Sequence, residues 1–274
     1  MKAGLSKWPS LLAMHLTATL TSLLFAAPVL IVVVVSLKST TFLEFSLSPA
    51  TWTLQNYREV FNDPLVPRYV ANSLFVGGAV TALTVLVDLL AAYAFAKLRF
   101  PGRDLSFGLL LATLMLPFSA TLVPVYLIAA RLGMVDTYAG LIIPSLAGPF
   151  GVFLLRQFIR GIPDSLLESA RIDGASELRI FGSVVLPLCL QPMAVLAIFT
   201  FVGSWNSFLW PLLMAQSAEM RTLTVGIATT NTQFTQNIGG TTAVAMLSLL
   251  PMAILFVGFQ RYFVRGVLAG ALKA

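Results

Sequence analysis

Few residues in this sequence have side chains that could do chemistry. It has a single histidine, His15, and a single cysteine, Cys189, which is too few for a zinc site, an iron–sulfur cluster or an internal disulfide. No G-x-x-x-x-G-K-[ST] phosphate-binding loop occurs in the sequence, so it shows no means of binding ATP in that manner. We therefore expect no catalytic residue, no metal and no cofactor in this chain.

The composition indicates an integral membrane protein. Of the 274 residues, 58% are hydrophobic and only 10% are charged, and the mean hydropathy is +0.89. A soluble domain carries roughly a quarter charged residues, so this little charge cannot cover a water-facing surface. Disordered and coiled-coil classes are excluded by the same figures. We predict an all-α, polytopic membrane protein.

Six stretches are long enough to cross a bilayer, which takes about 20 mostly apolar residues. They are 12–36, 70–96, 105–130, 138–155, 184–214 and 241–260. The first exceeds the apolar region of a signal peptide, about 7–15 residues, so we expect it to be retained. The fourth is interrupted by prolines and glycines and should pack inside the bundle. No linker separates a further domain, which predicts a single transmembrane domain over 1–274.

The distribution of lysine and arginine predicts the orientation. If six spans alternate sides, twelve of the 17 Lys and Arg residues fall on the side of both termini, 97–104 and 156–183, and five fall on the other side. Positive residues are enriched in cytoplasmic loops. Both termini and the connection 156–183 are therefore predicted to be cytoplasmic, and 38–69 and 215–240 to be external.

The longest cytoplasmic connection is patterned like two short helices. Pro163 suits the first turn of a helix, and Ser165 with Glu168 matches a capping box. Gly174 can adopt the left-handed conformation that ends a helix, and Ser176 can cap a second helix. The pattern predicts a helix–turn–helix whose apolar and charged surface suits docking in a groove of another protein, or resting on lipid headgroups.

Residues of this connection resemble a known motif. Glu168-Ser169-Ala170, Gly174 and Val184-x-Leu186-Pro187 keep every spacing of the E-A-A, G, I-x-L-P motif (the EAA loop) found in permease subunits of binding-protein-dependent ABC importers. Serine replaces the second alanine and valine replaces isoleucine. Further matches are Asn56-Tyr57, Asn72-Ser73, AAYA at 91–94, FPGR at 100–103, Trp205-Asn206, QRYF at 260–263 and GALK at 270–273. With these, the pattern resembles the smaller membrane subunit of maltose-type transporters, in the carbohydrate-uptake branch.

The resemblance implies a non-enzymatic permease subunit in a bacterial inner membrane. Such a subunit forms half of the translocation pathway for a sugar or related solute. Its partners would be a second homologous permease subunit, two ATPase subunits that bind the ATP, and an extracytoplasmic solute-binding protein, with no nucleic acid. The tail after Arg265, including Gly266 and Gly270, would reach toward the ATPases. The residues implied in coupling to the ATPase are Glu168, Ala170, Asp173, Gly174, Ala175, Leu186 and Pro187.

Two features leave alternatives open. Asp88, the one acid well inside a span, is either a hydrogen-bonded or protonated carboxyl of the bundle or the proton or cation site of a secondary transporter. Trp205 and Asn206 suit a sugar contact on the translocation path, and equally a packing contact between helices. A purely structural membrane subunit is a third interpretation. The solute is open as well, since a mono-, di- or oligosaccharide and a glycerol phosphate compound all fit the resemblance.

Overall fold

The computed structural model describes residues 8–38, 52–146, 148–229 and 238–271, and the side chains between residues 11 and 258 within those ranges. The described part is helical, apart from an isolated bridge between Lys38 and Trp52, which agrees with the predicted all-α class. Short 3-10 turns lie at Thr113–Met115, Ile143–Ser145 and Ala218–Met220, and a π-helical segment at Phe181–Val185. The α-helices are α1 (Trp8–Ser36), α2 (Gln55–Asn62), α3 (Leu65–Lys97), α4 (Arg103–Ala112), α5 (Phe118–Arg131), α6 (Tyr138–Ile142), α7 (Pro149–Arg160), α8 (Asp164–Ile172), α9 (Glu177–Ile180), α10 (Leu186–Leu188), α11 (Leu190–Trp205), α12 (Leu209–Met214), α13 (Leu223–Thr229) and α14 (Ile238–Ala271).

Three unbroken helices are long and apolar enough to cross a membrane: α1, α3 and α14. They contain the predicted spans 12–36, 70–96 and 241–260. These spans were predictable because each is a long apolar run, and the helix continues through Pro28 in α1 and Pro251 in α14.

The other three predicted spans fall on bent pairs of helices. In 105–130, α4 with its 3-10 extension and α5 meet at an angle of 105°. Leu116 is extended there, with ψ at 119°, because a residue followed by proline disfavours the helical region. In 184–214 the chain bends by 76° between α10 and α11, and it breaks again between α11 and α12. The pair α6 and α7 is interrupted within 138–155. The described residues therefore give six spans only if each bent pair counts as one.

The chain divides into two compact units, of which the first comprises 1–64 and 227–251. Here α2 is fastened to the end of α1. The Asn56 side-chain amide donates to the carbonyls of Ser36 at 2.8 Å and Lys38 at 2.7 Å, and the hydroxyls of Tyr57 and Ser36 lie 2.8 Å apart. The Asn56-Tyr57 pair of the motif therefore fixes the turn that follows the first predicted span.

The second unit, 65–226 and 252–274, is organised around α3. The helix α3 packs against both α7 and α11. The buried residues recur every three or four positions along one face, from Val66 and Tyr69 to Leu89 and Tyr93, as a helix with one packed face requires. The opposite face exposes Leu74, Phe75, Leu83, Leu86 and Leu90, so α3 is apolar on both faces. Such a helix is typical of a membrane interior.

Candidate functional site

The bend in the connection 156–183 has the predicted geometry. Gly174 adopts a left-handed φ of 78°. The amide of Ala175 donates to the carbonyl of Ala170, and that of Gly174 to Arg171, both at 3.0 Å. These are the two hydrogen bonds of a Schellman motif. Beyond the bend, the Ser176 hydroxyl accepts from the Arg179 amide at 3.4 Å and caps α9.

The start of α8 differs from the prediction. The helix begins at Asp164, with Pro163 as a cap residue that makes no side-chain bond, so the predicted capping box of Ser165 and Glu168 is wrong. The start of α8 is held by Lys97 and not by a capping box. Its ammonium group donates to the Ile162 carbonyl and to Asp164 Oδ1, each at 2.6 Å.

The ion pair between Lys97 and Asp164 is stable at neutral pH. The hydrogen bond from Lys97 lowers the pKa of the Asp164 carboxyl below its usual range. A carboxylate whose pKa is depressed in the folded chain stabilises the fold above its unfolded pKa, and that contribution is lost as the pH falls through the lowered value. The anchor at the start of α8 therefore holds across the physiological range.

The second helix after the bend is longer than predicted. α9, the π-helical segment and α10 form one continuous run from Glu177 to Leu188, whereas the sequence predicted a short separate helix followed by a span starting at 184. Leu186 and Pro187 thus lie on the same run of helix as the residues at the bend. A displacement at Gly174 would be carried along this run toward α11.

A polar contact between α3 and the bend escaped the sequence analysis. The Tyr93 hydroxyl donates to Glu177 Oε2 at 2.5 Å, and Arg171 Nε donates to Glu177 Oε1 at 2.8 Å. Glu177 therefore joins α8, α9 and the end of α3. The available signal was Tyr93 itself, a tyrosine within the AAYA match and close to the predicted end of a span.

Apolar packing also holds α8 and α9 against α3 and α7. Leu167 of α8, Ile180 of α9 and Val185 are almost fully buried, in one cluster with Leu89 of α3 and Leu155 of α7. Other apolar side chains of the same two helices are exposed in the described chain, Ile172 by 86% and Leu178 by 77%. An anchored element with an exposed apolar rim is suited to docking.

The predicted coupling residues divide between the exposed side of this element and its contact with the buried cluster. Glu168, Asp173, Gly174 and Pro187 are exposed, and Ala170, Ala175 and Leu186 are half-buried. Glu168 also borders a polar cleft of about 540 Å³, which it shares with Lys97, Arg99, Arg103, Arg171 and Glu177. The structure thus brings the residues from Glu168 to Ala175 together at one bend, and Leu186 and Pro187 follow about two and a half turns along the adjoining helical run.

Trp205 and Asn206 do not share one surface. Trp205 is 4% exposed, and its ring stacks on Phe201 with a centroid distance of 5.9 Å. Asn206 is exposed and follows the last residue of α11. Trp205 has the environment of a packing residue, and a sugar contact at this pair stays a prediction.

Asp88 lies against the first turn of α7. Its side chain is in the buried interior, and Oδ2 has no hydrogen-bond partner among the described residues. The carboxyl fits against Gly151, where a Cβ atom would overlap Asp88 Oδ2 and lie 2.9 Å from a methyl carbon of Leu196. The absence of a side chain at Gly151 is what lets α3 and α7 approach here.

We expect Gly151→Ala to destabilise the protein, because the added methyl group would overlap the Asp88 carboxyl. Overpacking of this kind typically costs about 1–3 kcal/mol, seen as a lower unfolding temperature in detergent. Gly108→Ala is the matched control, since a Cβ there meets nothing within 4 Å. Adding Asp88→Ala should restore much of the loss in Gly151→Ala. An unchanged unfolding temperature for Gly151→Ala would contradict the close approach.

The predicted tail lies at the end of α14. Gly266 and Gly270 fall within that helix, in the part where side chains are not described, and the last residues of the GALK match, Leu272 and Lys273, lie outside the described residues. The role of the tail stays a prediction.

The sequence matches the family model of the binding-protein-dependent transport system inner membrane component over residues 88–269. It is 37% identical over 226 residues to the arabinooligosaccharides transport system permease protein AraQ of Halalkalibacterium halodurans, covering 82% of this chain and 81% of that protein. It is 32% identical to AraQ of Bacillus subtilis over 268 residues, 96% of this chain and 95% of that one.

Similarity extends to a relative with another solute and to a solved structure. The sn-glycerol-3-phosphate transport system permease protein UgpE of Yersinia enterocolitica is 40% identical over 202 residues, covering 72% of this chain and 70% of that protein. A chain of a bacterial ABC transporter that imports the acidic polysaccharide alginate has the same fold, with a TM-score of 0.82 at 22% identity, over 94% of this chain and 98% of that one.

Proposed function

The chain belongs to the family of inner membrane components of binding-protein-dependent transport systems, and we propose that it is a permease subunit of an ATP-driven importer for a sugar or related solute. Its relatives are transport permeases, so it is a permease and not an enzyme. The observation that carries the proposal is the anchored bend at Gly174, continuous with a helical run that leads to α11.

The bend would couple the membrane helices to an ATPase subunit. The exposed surface around Glu168, Asp173 and Gly174 would seat in a cleft of that subunit. Lys97 and Tyr93 would transmit its movement to α3 through Asp164 and Glu177, and the run ending at Leu188 would transmit it to α11. Two ATPase subunits, a second permease and an extracytoplasmic binding protein complete the importer. This chain, with six spans, would form half of the translocation pathway, and the second permease would form the other half.

An ion-coupled secondary transporter remains the second candidate, favoured by one observation. Asp88 Oδ2 is buried and has no partner among the described residues, and a carboxyl inside a membrane span is a candidate proton or cation site. Its position against Gly151 offers the competing explanation of close packing.

We expect uptake by the complete importer in membrane vesicles to stop when the partner ATPase carries a hydrolysis-blocking substitution, and to persist when the ion gradient is collapsed. Asp88→Asn should leave most of the uptake intact, since it keeps the size of the side chain. Uptake that survives loss of hydrolysis and ends with the ion gradient would establish the secondary transporter instead.

The proposed orientation has both termini in the cytoplasm. We expect cysteines introduced one at a time at Ser46 and Ser217, in a Cys189→Ala background, to react with an impermeant thiol reagent in intact cells. A cysteine at Ser176 should react only after permeabilisation, because the positive-residue bias puts 156–183 inside. Reaction of the Ser176 variant in intact cells would reverse the topology. Ser46 lies outside the described residues.

A further inference from the structure

A cavity of about 200 Å³ lies between α3, α6, α11 and α12, far from the coupling bend. Its walls include Val76 and Val80 on α3, and Val80 lies about 20 Å along the helix axis from Tyr93 at a rise of about 1.5 Å per residue. In the proposed orientation this is the outer half of the membrane. The polar part of the wall consists of the hydroxyl side chains of Ser145, Thr200, Ser204 and Ser207; we call it the hydroxyl-lined cavity.

Three of these hydroxyls have unused hydrogen-bonding capacity. In apolar helices a serine or threonine hydroxyl often donates to a carbonyl one turn back, as Thr81 does to Gly77 at 2.6 Å. The side-chain oxygens of Thr200, Ser204 and Ser207 have no such partner among the described residues, although all three are half-buried. Each hydroxyl can donate one hydrogen bond and accept two. This surface can therefore bind a polar, uncharged ligand.

The remaining walls are apolar and rigid. Trp210 is 6% exposed, and its indole N–H donates to the Gly140 carbonyl at 3.1 Å, so the ring is held in place. Val76, Val80 and Leu141 provide aliphatic surface beside it. A sugar ring presents C–H faces and a rim of hydroxyls, and a site of mixed aromatic, aliphatic and hydroxyl groups matches both.

No ionisable side chain lies among the described residues that line the cavity. Phosphate and carboxylate groups are bound by Arg, Lys or clustered backbone amides, so a charged solute would find no counter-charge on this wall. Whether the solute is charged matters here, because the related systems are named for both kinds. Their solutes include uncharged arabinooligosaccharides, a glycerol phosphate and the acidic polysaccharide alginate.

We propose that the hydroxyl-lined cavity is a subsite for one uncharged sugar ring on the translocation path. The proposal rests on the importer function proposed above and narrows its solute to a neutral saccharide. The volume is below the 300–1,000 Å³ typical of sites for larger ligands, so a longer saccharide would occupy the cavity one ring at a time.

The first test is protection of a cysteine in the cavity. In the complete importer carrying Cys189→Ala, Ser204→Cys is labelled with N-ethylmaleimide while arabinotriose, sn-glycerol 3-phosphate or a trimannuronate is raised until the labelling rate stops changing. We expect arabinotriose to slow the labelling several-fold and the two anions to leave it unchanged. Ser106→Cys, at an exposed position on α4 outside the run from Glu177 to Leu188, is the control and should label at one rate throughout. Protection by either anion, or by none of the three, overturns the proposal.

The second test removes the hydroxyls with little change of shape. The triple variant Thr200→Val, Ser204→Ala, Ser207→Ala should take up arabinotriose about tenfold more slowly, the effect of losing one or two net hydrogen bonds. Its unfolding temperature and the ATP hydrolysis stimulated by the binding protein should be unchanged. Thr81→Val, on the same side of the membrane, is the matched control.

The two proposals fail in different ways. If the wild-type importer shows no ATP-dependent uptake, the importer function is wrong. If wild-type uptake is ATP-dependent while the triple variant transports at the wild-type rate, only the subsite is wrong.

Discussion

Gly174→Val is expected to abolish ATP-driven uptake while the membrane helices stay folded and the second permease stays bound. Gly174 has a φ of 78°, and a Cβ atom there would meet no neighbour within 4 Å, so the substitution acts through the backbone alone. Holding a β-branched residue in this conformation costs about 1–3 kcal/mol. The bend would relax, the hydrogen bonds from Gly174 and Ala175 would break, and the docking surface would change its angle.

The measurements are uptake into vesicles and co-purification of the ATPase subunits in detergent. Gly174→Asn is the matched control, because asparagine tolerates the left-handed conformation, and it should keep most of the uptake. Glu168→Lys provides a complementary change, since it reverses an exposed charge and leaves the bend intact; it should also release the ATPase or uncouple it. Wild-type uptake in Gly174→Val and Glu168→Lys, with the ATPase bound, would show that this bend is not the coupling element.

Local rules predicted the parts of this site that depend on neighbouring residues. The sequence shows which glycine can end a helix and which serine can cap the next one. Gly174 and Ser176 have these two roles in the structure. The predicted capping box failed because the cap residue is Pro163, two residues before Ser165, which the pattern favours. The first residue of the helix, Asp164, is held instead by Lys97, which lies 67 residues away in the sequence.

The bends in the helices were beyond what composition can predict. Hydropathy identifies an apolar stretch but carries no information on whether the helix in it is straight or bent. The stretches 105–130 and 184–214 therefore look like single spans, although the structure bends both. Pro117 was a visible cause in the first. In the second, the bend at Cys189 follows a π-helical segment and Pro187, and Val185 and Leu196 on its two sides are buried in one apolar cluster.

Contacts over long sequence separations account for the rest. Tyr93 and Glu177 are 84 residues apart. Tyr93 was visible as a polar group near the end of a span, but nothing in the sequence identifies Glu177 as its partner. The approach of Asp88 to Gly151 is another such contact. From the sequence, Gly151 indicates only an interruption of a helix, and the structure shows that it makes room for the Asp88 carboxyl. Such contacts depend on the helix packing, which a single sequence does not contain.

Glu177→Ala is expected to uncouple ATP hydrolysis from uptake, with uptake falling about tenfold or more. The Glu177 carboxylate is the acceptor for both Tyr93 and Arg171, and hydrogen bonds to a charged group contribute about 1.5–3 kcal/mol each. Most of the effect should come through Tyr93, which is 5% exposed. The side chains of Arg171 and Glu177 are 41% and 47% exposed, and solvent weakens such an ion pair.

A double-mutant cycle separates this role from a general loss of stability. Tyr93→Phe keeps the contact of the ring with Phe181, at a centroid distance of 5.6 Å, and removes only the hydroxyl, so it should lower uptake by a part of the Glu177→Ala effect. Combined, the two changes should cost less than their sum, because both remove the same hydrogen bond. Asp104→Ala is the control: it breaks an exposed ion pair with Arg103 at 3.1 Å and should leave uptake unchanged. If the effects of Tyr93→Phe and Glu177→Ala add fully, or if Glu177→Ala transports at the wild-type rate, then movement of the bend does not reach α3 through this contact. The run from Glu177 to Leu188 would then carry the coupling to the membrane.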